Sequence, residues 1–434
     1  MNNAIDERNL IRDALSYHQN PSGKICINLS KKPNLRLGYT PGVAHACLEI
    51  YKNPSSLYNL TYLNNSVGII SNGTAILGLG NLGAAPAMPV MEGKCMIFKY
   101  YAGIDAIPIV IDEQDPIKLT EIIKKCQYSF GGINLEDIKA PDCFFVEEEL
   151  KKALAIPVFH DDQHGTAIVV CAGLFNALKV VKKDLESAKI VINGSGSAGI
   201  ATADLLKSFG AKNVIMCDTK GVIFEGRLNG MNEFKQRHAV PINSLPHNSA
   251  STWSLEDVIT DADVFIGVSS KGALSQQMLV KMAPNPIIFA LANPDPEILP
   301  NEALEARPDA IVATGRSDFP NQINNMLCFP YMFRASLDTK SKLITLNMKQ
   351  AAALALSSCV SNPDRNNIIP QIFQPFNHNY ECENPILEKM TIDVIKAAIK
   401  DEVAQNLFDL DKYKTHLFNT QTQLYKQMNA LKLI

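Results

Sequence analysis

The sequence predicts an α/β protein: a Rossmann-type parallel-sheet domain, a second α/β domain N-terminal to it, and a helical C-terminal tail. Three observations carry that reading. Short apolar runs alternate with helical patterns through the middle of the chain, as in a parallel sheet covered on both faces. A glycine-rich turn, "GSGSAG" at 194–199, separates one such run from one such helix. The 434 residues are also too many for one ordinary core. The domain boundaries are placed at 1–160, 161–385 and 386–434.

Composition narrows the class. Hydrophobic residues are 46% and charged residues 20%, with a formal net charge of −3. That is ordinary for a globular protein in water and gives no electrostatic reason to expect nucleic acid or a membrane as partner. The first twenty residues mix both signs of charge and lack an apolar core, so they read as neither signal nor transit peptide. The longest apolar stretch, "AIVVCAGLFNALKVV" (167–181), is interrupted by Gly173, Asn176 and Lys179 and reads as a buried helix. Ten cysteines without a C-x-x-C pair read as reduced thiols of a cytoplasmic protein. Cys95, beside Lys94, is expected to be buried.

Taken in order, "SVGIISNG" (66–73), "LGLGNLGAAPAMPV" (77–90) and "IDAIPIVID" (104–112) are apolar runs punctuated by Gly and Pro. "PIKLTEIIKKC" (116–126) sets Leu119, Ile122, Ile123 and Cys126 at helical spacing. "IPVF" (156–159) reads as a strand, with Gly165 and Thr166 opening the next helix. "AKIVING" (188–194) is a buried strand. "SAGIATADLLKSFG" (197–210) is a helix with Ala201, Leu205 and Phe209 on one face and Gly210 suited to its C-terminal cap. "KNVIMCD" (212–218), "ADVFIGVS" (262–269), "PIIFALANP" (286–294) and "AIVATG" (310–315) read as further strands. An amphipathic helix fits "MTIDVIKAAIKDEVAQNLF" (390–408).

In this context the glycine turn reads as a dinucleotide site. Gly194, Ser195, Gly196, Ser197, Ala198 and Gly199 follow a strand and open a helix whose free N–H groups can meet a pyrophosphate. Asp218 ends the next strand, 19 residues after Gly199. A carboxylate there accepts hydrogen bonds from a ribose 2′-hydroxyl and repels a 2′-phosphate, which favours NAD, while Lys220 keeps NADP open. The weaker alternative is a glycine turn in an ordinary α/β sheet.

Two acidic segments raise the question of a metal. "VFHDDQHGTAI" (158–168) crowds His160, Asp161, Asp162 and His164. Zinc through both histidines needs them on one helical face and a third ligand from elsewhere, and the strand expected just before argues against that face. Capping of the next helix by Asp162 or Thr166 is the plain alternative. "GGINLEDIKAP" (131–141) adds the adjacent carboxylates Glu136 and Asp137, by themselves a solvated acidic turn. Together, Glu136, Asp137 and Asp162 would form an all-oxygen site suited to Mg²⁺ or Mn²⁺.

From about residue 36 to about residue 356 the chain resembles the malic enzymes, specifically the short bacterial type. Eight blocks in order carry the resemblance: "YTPGVA" (39–44), "GTAILGLGNLG" (73–83), "PVMEGK" (89–94), "FGGINLEDI" (130–138), "FHDDQHGTAI" (159–168), "ALANPDPEI" (290–298), "TGRSDFPNQINN" (314–325) and "FPYMFR" (329–334). The resemblance implies oxidative decarboxylation of (S)-malate to pyruvate and CO₂, reduction of NAD or NADP, a divalent metal (Mg²⁺ or Mn²⁺) and a homodimer. It makes 1–160 the catalytic domain and 161–385 the NAD(P)-binding domain. By motif, Tyr39 is the expected general acid and Lys94 the expected general base. Glu136, Asp137 and Asp162 become the metal ligands, and Asp161 the residue that orients Lys94. Asn293 and Asn324 become contacts for substrate or nicotinamide. A general base must be neutral, and burial of Lys94 favours that while Asp161 opposes it.

The chain also departs from the family. Asn72 of "SNGT" stands where the family commonly has Asp. Ser195 and Ser197 replace common alanines and still fit the turn. Ala75 and Ile76 stand where larger members carry an arginine that grips substrate carboxylate. Arg316 is the candidate substitute, with a structural ion pair as its alternative. No phosphotransacetylase-like extension follows, so regulation through one is not expected. Two other functions compete: a 2-hydroxy-acid dehydrogenase that does not decarboxylate, and a catalytically silent dinucleotide-binding sensor. The paired metal carboxylates argue against the first. Tyr39, Lys94 and the three carboxylates argue against the second.

Overall fold

The structure, a computed structural model, describes residues 13, 15–16, 32–246, 252–371 and 373–434. The leader reading of the first twenty residues therefore falls almost wholly outside the described residues.

Two sheets organise the chain. The first has four parallel strands in the order β2-β1-β3-β4: β1 Ser66–Ser71, β2 Asp105–Val110, β3 Gly132–Leu135 and β4 Val158–His160. Numbering the longer helices from the N-terminus, α1 Val43–Lys52 precedes this sheet, and α2 Ala84–Ala102, α3 Pro116–Lys125 and α4 Asp142–Ala153 connect it. The helix expected at 116–126 is α3. Asp115 starts it by accepting the N–H groups of Ile117 and Lys118, and Pro116 occupies its first turn.

The second sheet has six strands in the order β10-β9-β8-β5-β6-β7. They are β5 Lys189–Asn193, β6 Asn213–Asp218, β7 Gly221–Val222, β8 Val264–Gly267, β9 Ile287–Ala290 and β10 Ile311–Thr314. All run parallel except β7, which turns back on β6. From β5 the chain builds toward β6 on one side and β8 on the other. The crevice at that reversal is where open α/β sheets hold their ligands.

α5 Asp161–Val181 leads from one sheet to the other. It begins at Asp161, four residues ahead of the Gly165 expected from the sequence. Its two acidic residues do not break the helix, because negative charge in a first turn is favoured by the helix dipole. By length and composition α5 could cross a membrane, but 67% of its apolar window is buried inside the protein. It is a core helix, packed on α6 Ser197–Ser208.

The C-terminal helices return to the first sheet. They are α7 Phe329–Asp338, α8 Leu346–Ser358, α9 Pro385–Lys400 and α10 Leu410–Ala430. α7 packs on α2 and α9. From α10, Gln421 and Tyr425 donate to the Tyr100 carbonyl of α2 at 3.1 and 2.9 Å. The amphipathic helix expected at 390–408 runs over 385–400, because Asn384 caps it and Pro385 suits its first turn.

Asn176 of α5 is fully buried, and its amide joins two distant segments. It donates to Ser357 O at 2.8 Å and Ile368 O at 2.9 Å, and accepts from Ser357 Oγ at 3.0 Å. Asn176→Leu strands both carbonyls and should cost about 2 kcal/mol or more in chemical denaturation. A loss below about 0.5 kcal/mol, the usual range for a substitution that breaks nothing, would show that those carbonyls find other partners.

Candidate active site

Lys94 lies on the buried face of α2 with Met91, Cys95 and Phe98. A buried ammonium needs partners, and it has them. Its Nζ is 2.5 Å from Asp161 Oδ2 and pairs as well with Glu136 Oε2. The Phe329 ring closes the space, its centroid 4.5 Å from Nζ. Burial pulls the Lys94 pKa down, but Asp161, Glu136 and Asp162 more than reverse that, and the net shift is upward. The three carboxylates therefore favour the protonated form of Lys94. Asp161 reaches it because Gly165, one turn along α5, has no side chain; a Cβ there would sit 1.8 Å from Asp161 Oδ1. Burial pushes the Asp161 carboxyl up, and Lys94 pulls it partly back. Asn325 also approaches Asp161 and favours its charged form. The sequence reading chose its neighbour Asn324 instead.

The three acidic residues expected to bind metal come together. Ligand oxygens of Glu136, Asp137 and Asp162 lie within 4.8 Å of one another. Glu136 and Asp137 follow β3, and Asp137 takes a left-handed backbone (φ 53°), uncommon outside glycine. Its N–H is held by Asp162 Oδ2 at 2.8 Å. Burial and mutual repulsion raise the Glu136 and Asp137 carboxyls. Burial also raises Asp162, with Lys94 opposing it. Asp137 Oδ2 is buried with no hydrogen-bond partner. An orphaned carboxylate oxygen within an all-oxygen set fits a hard divalent cation. Zinc through the histidines does not fit. Among the described residues no third ligand gathers with the two histidines, and His160 is fully buried at the end of β4. His164 Nε2 faces Glu147 Oε2 at 2.8 Å. Among the described residues, the carboxylate trio is the one cluster of this kind.

The glycine turn sits between β5 and α6, as expected. Gly194 has φ 119°, and a Cβ on it would lie 2.4 Å from Val268 O. A Cβ on Gly199 would lie 1.9 Å from Gly194 O, so the helix packs on the turn only with glycine there. Ser195, Gly196, Ser197 and Ala198 complete the turn, and α6 starts without a side-chain cap, which leaves its first N–H groups for a ligand. Buried Glu297, which the sequence reading did not single out, holds both lips of the crevice. It accepts the N–H groups of Ser269 after β8 (2.8 Å) and Ala292 after β9 (3.1 Å). The next residue, Asn293, meets the first domain: a Cβ on Gly78 would be 2.1 Å from its carbonyl oxygen. Asn324 Oδ1 accepts the Met326 N–H at 3.0 Å, so it caps a turn, and its amide nitrogen and the second lone pair of that oxygen remain for substrate.

Three of the expected residues have surroundings that the sequence does not show. Asp218 ends β6, but its carboxylate is already occupied. It accepts the Lys220 N–H at 2.8 Å and Lys235 Nζ at 2.6 Å, and forms a two-pronged pair with Arg227. Although burial works the other way, Arg227 and Lys235 hold its carboxyl below the usual range. It is therefore not the free anion that would exclude a 2′-phosphate. Arg316 binds Asp318 through two hydrogen bonds of 2.9 and 2.7 Å, the ion pair that the sequence offers as its alternative role. Tyr39 is 69% exposed, and among the described residues its hydroxyl makes no hydrogen bond to Lys94, which pairs instead with Asp161 and Glu136. Asn72, the other departure, has a local role. It accepts from Thr74 Oγ1 at 2.7 Å and donates to Glu113 O at 3.1 Å, and an aspartate could not donate.

This architecture defines a two-sheet α/β protein with a dinucleotide-binding half and a lysine–carboxylate centre. Residues 22–151 match the malic enzyme N-terminal domain and residues 163–389 the malic enzyme NAD binding domain. The chain belongs to the malic enzyme family. It is 46% identical to a probable NADP-dependent malic enzyme of Rickettsia prowazekii, over 98% of this chain and 57% of that one. It is 49% identical to a bifunctional malic/malolactic enzyme of Bacillus subtilis, over 82% of this chain and 86% of that one. The chain thus spans little more than half the length of the Rickettsia relative. Malic enzyme structures from Pyrococcus horikoshii and Entamoeba histolytica superpose with TM-scores of 0.85 and 0.87. They are 38% and 35% identical to this chain and cover 98% and 97% of it, and it covers 98% and 88% of them.

The raised carboxyls set a testable pH dependence. The folded, metal-free site holds protons that the unfolded chain releases above about pH 4. Its contribution to stability therefore falls as pH rises from about 4 through neutrality. The increase in Tm on adding saturating Mn²⁺ should grow from about pH 5 to about pH 8, since the cation needs the deprotonated site. Asp162→Asn should remove most of that increase. A pH-independent increase, or one unaffected by Asp162→Asn, would take these carboxylates out of the cation site.

Proposed function

We propose that the protein catalyses oxidative decarboxylation of (S)-malate to pyruvate and CO₂ with reduction of a nicotinamide dinucleotide. The observation that carries this reading is one buried lysine locked to Asp161 and bordered by three carboxylates that fit a divalent cation. A simple dehydrogenase needs a base but not the carboxylate trio. Lys94 takes the proton from the C2 hydroxyl as hydride leaves C2. Asp161 fixes the direction of the lysine through its 2.5 Å contact. Phe329 and the buried face of α2 exclude water from that proton transfer. Glu136, Asp137 and Asp162 would hold Mg²⁺ or Mn²⁺, which supplies charge to polarise the C2 oxygen, to stabilise the negative charge left as CO₂ departs, and to offset the carboxylates' pull on Lys94. Tyr39 returns a proton to C3.

The dinucleotide is read as NADP before NAD. Arg227 and Lys235 bring two cations to one carboxylate at the end of β6, with Lys220 beside them, so the end of that strand carries net positive charge. A 2′-phosphate gains from that arrangement. Small-molecule partners are malate and pyruvate, and the buried thiols suit the cytoplasm. A homodimer agrees with the apolar residues left uncovered on the N-terminal arm: Leu35, Leu37, Leu48 and Tyr51 are all exposed beside Tyr39. Covering that arm with a second copy would take Tyr39 out of bulk solvent.

Turnover of malate with NADP⁺ or NAD⁺, with and without Mn²⁺, tests the reading when reduced cofactor and pyruvate are followed together. Equal yields that depend on Mn²⁺ are expected. Reduced cofactor without pyruvate would mean a dehydrogenase, and binding without turnover would mean a sensor. Lys94→Ala and Tyr39→Phe should each lower kcat by roughly 10²–10⁴, the scale of a lost acid or base. Lys235→Ala should lower kcat/KM for NADP⁺ about tenfold relative to NAD⁺, the worth of one charge-assisted contact; an unchanged ratio would remove Lys235 from cofactor choice.

A further inference from the structure

Asp137 meets two demands at once. It offers the cation site a buried oxygen with no other partner, and it does so from a left-handed backbone (φ 53°). A residue with a side chain seldom holds that conformation unaided, and relaxing out of it turns the carboxylate away from Glu136 and Asp162. Both of its own peptide groups are held. The N–H donates to Asp162 Oδ2 at 2.8 Å, and the carbonyl accepts the Ala75 N–H at 3.0 Å. Two residues further on, the Lys139 N–H donates to Thr74 Oγ1 at 3.0 Å. Thr74 and Ala75, in the segment after β1, thus grip the turn after β3 at two points. One grip is made by backbone and is open to any residue but proline. The other needs a hydroxyl.

That hydroxyl is buried and used in both directions. While it accepts from Lys139, it donates to Asn72 Oδ1 at 2.7 Å. Asn72 is buried as well, and its amide is anchored on Glu113 O at 3.1 Å. Glu113 follows β2, Asn72 and Thr74 follow β1, and Lys139 follows β3. These strands are neighbours in the order β2-β1-β3, so one chain of hydrogen bonds crosses their carboxyl ends and finishes on the Asp137 turn. We infer that Thr74 is a positioning residue for the cation site: its hydroxyl holds the Asp137 turn in the form that aims the carboxylate at Glu136 and Asp162. The inference rests on the cation site of the proposed function and adds to it a residue that touches neither cation nor substrate. Groups that orient a metal ligand are worth a large part of the affinity, because a ligand free to turn must be ordered again on binding.

The test measures Mn²⁺ binding to the full chain without malate or dinucleotide, by the electron paramagnetic resonance signal of free Mn²⁺, beside the Tm of the metal-free protein. Thr74→Val keeps the branched shape and removes the hydroxyl; it should raise the Kd for Mn²⁺ roughly tenfold or more. Thr74→Ser keeps the hydroxyl and removes the methyl group; it should bind as the parent does. In malate turnover, Thr74→Val should need more Mn²⁺ for half its maximal rate yet approach the parent kcat at saturation, since Lys94 is untouched. A general loss of stability does not produce that split. An unchanged Kd in Thr74→Val overturns the inference and leaves the cation site standing. Equal weakening in Thr74→Ser also overturns it, because the methyl packing is then what matters. If Thr74→Val melts without a cooperative transition, Thr74→Ala carries the same comparison. If neither folds, the hydroxyl serves the fold as a whole and the inference falls. A parent that binds no Mn²⁺ removes the cation site itself, and the role of Thr74 with it. Absence of malate turnover defeats the proposed activity, while the Kd comparison still decides Thr74.

Discussion

One ammonium and four carboxylates share a buried space where β3, β4, α2 and α5 converge. Lys94 pairs with Asp161 and Glu136, and Asp137 and Asp162 lie against them. Charges removed from water are tolerated only when they are compensated, and here the negative side is in excess. That excess raises Lys94, burial and the excess together raise the carboxyls, and Asp137 Oδ2 has no partner. A divalent cation resolves all three conditions at once. The same imbalance makes the lysine a poor base until positive charge is added, so cation binding and base strength are coupled.

The surrounding fold holds these groups at close range. α2 supplies Lys94 from one side of the first sheet, and the end of β3 supplies Glu136 and Asp137. α5 begins at the end of β4 and presents Asp161 and Asp162 in its first turn. α5 then runs on as the core helix shared with the second sheet. Its N-terminus therefore serves the catalytic centre while its length fixes the dinucleotide half beside it. Asn293, lying against Gly78, joins the two halves at the other lip of the crevice.

Much of this was legible along the chain. The parallel strands could be read because both faces of each sheet are covered, which leaves nearly continuous apolar runs such as "KIVIN" and "IIFA". Glu136, Asp137 and Asp162 could be grouped from their residue types as one possible all-oxygen site, but spacing could not show that they meet, because 25 residues and a whole helix separate Asp137 from Asp162. Misread features had partners distant in sequence or not visible as a pattern. Asp218 looked like a free carboxylate until Arg227 and Lys235 were found on it. The start of α5 was displaced because two aspartates and a histidine resemble a loop, although a helix N-terminus favours acidic residues.

The sequence alone determined the fold class, the glycine turn and the identities of the lysine and carboxylates, because periodicity and motif spacing are local properties of the chain. Only the tertiary structure decided how those groups are charged and satisfied. It surrounded Lys94 with carboxylates that favour its protonated form, paired Asp218 with two cations and placed Arg316 on Asp318. Charge state and hydrogen-bond saturation depend on which groups come within a few ångströms and on how much water is excluded. Neither quantity is written in the order of residues.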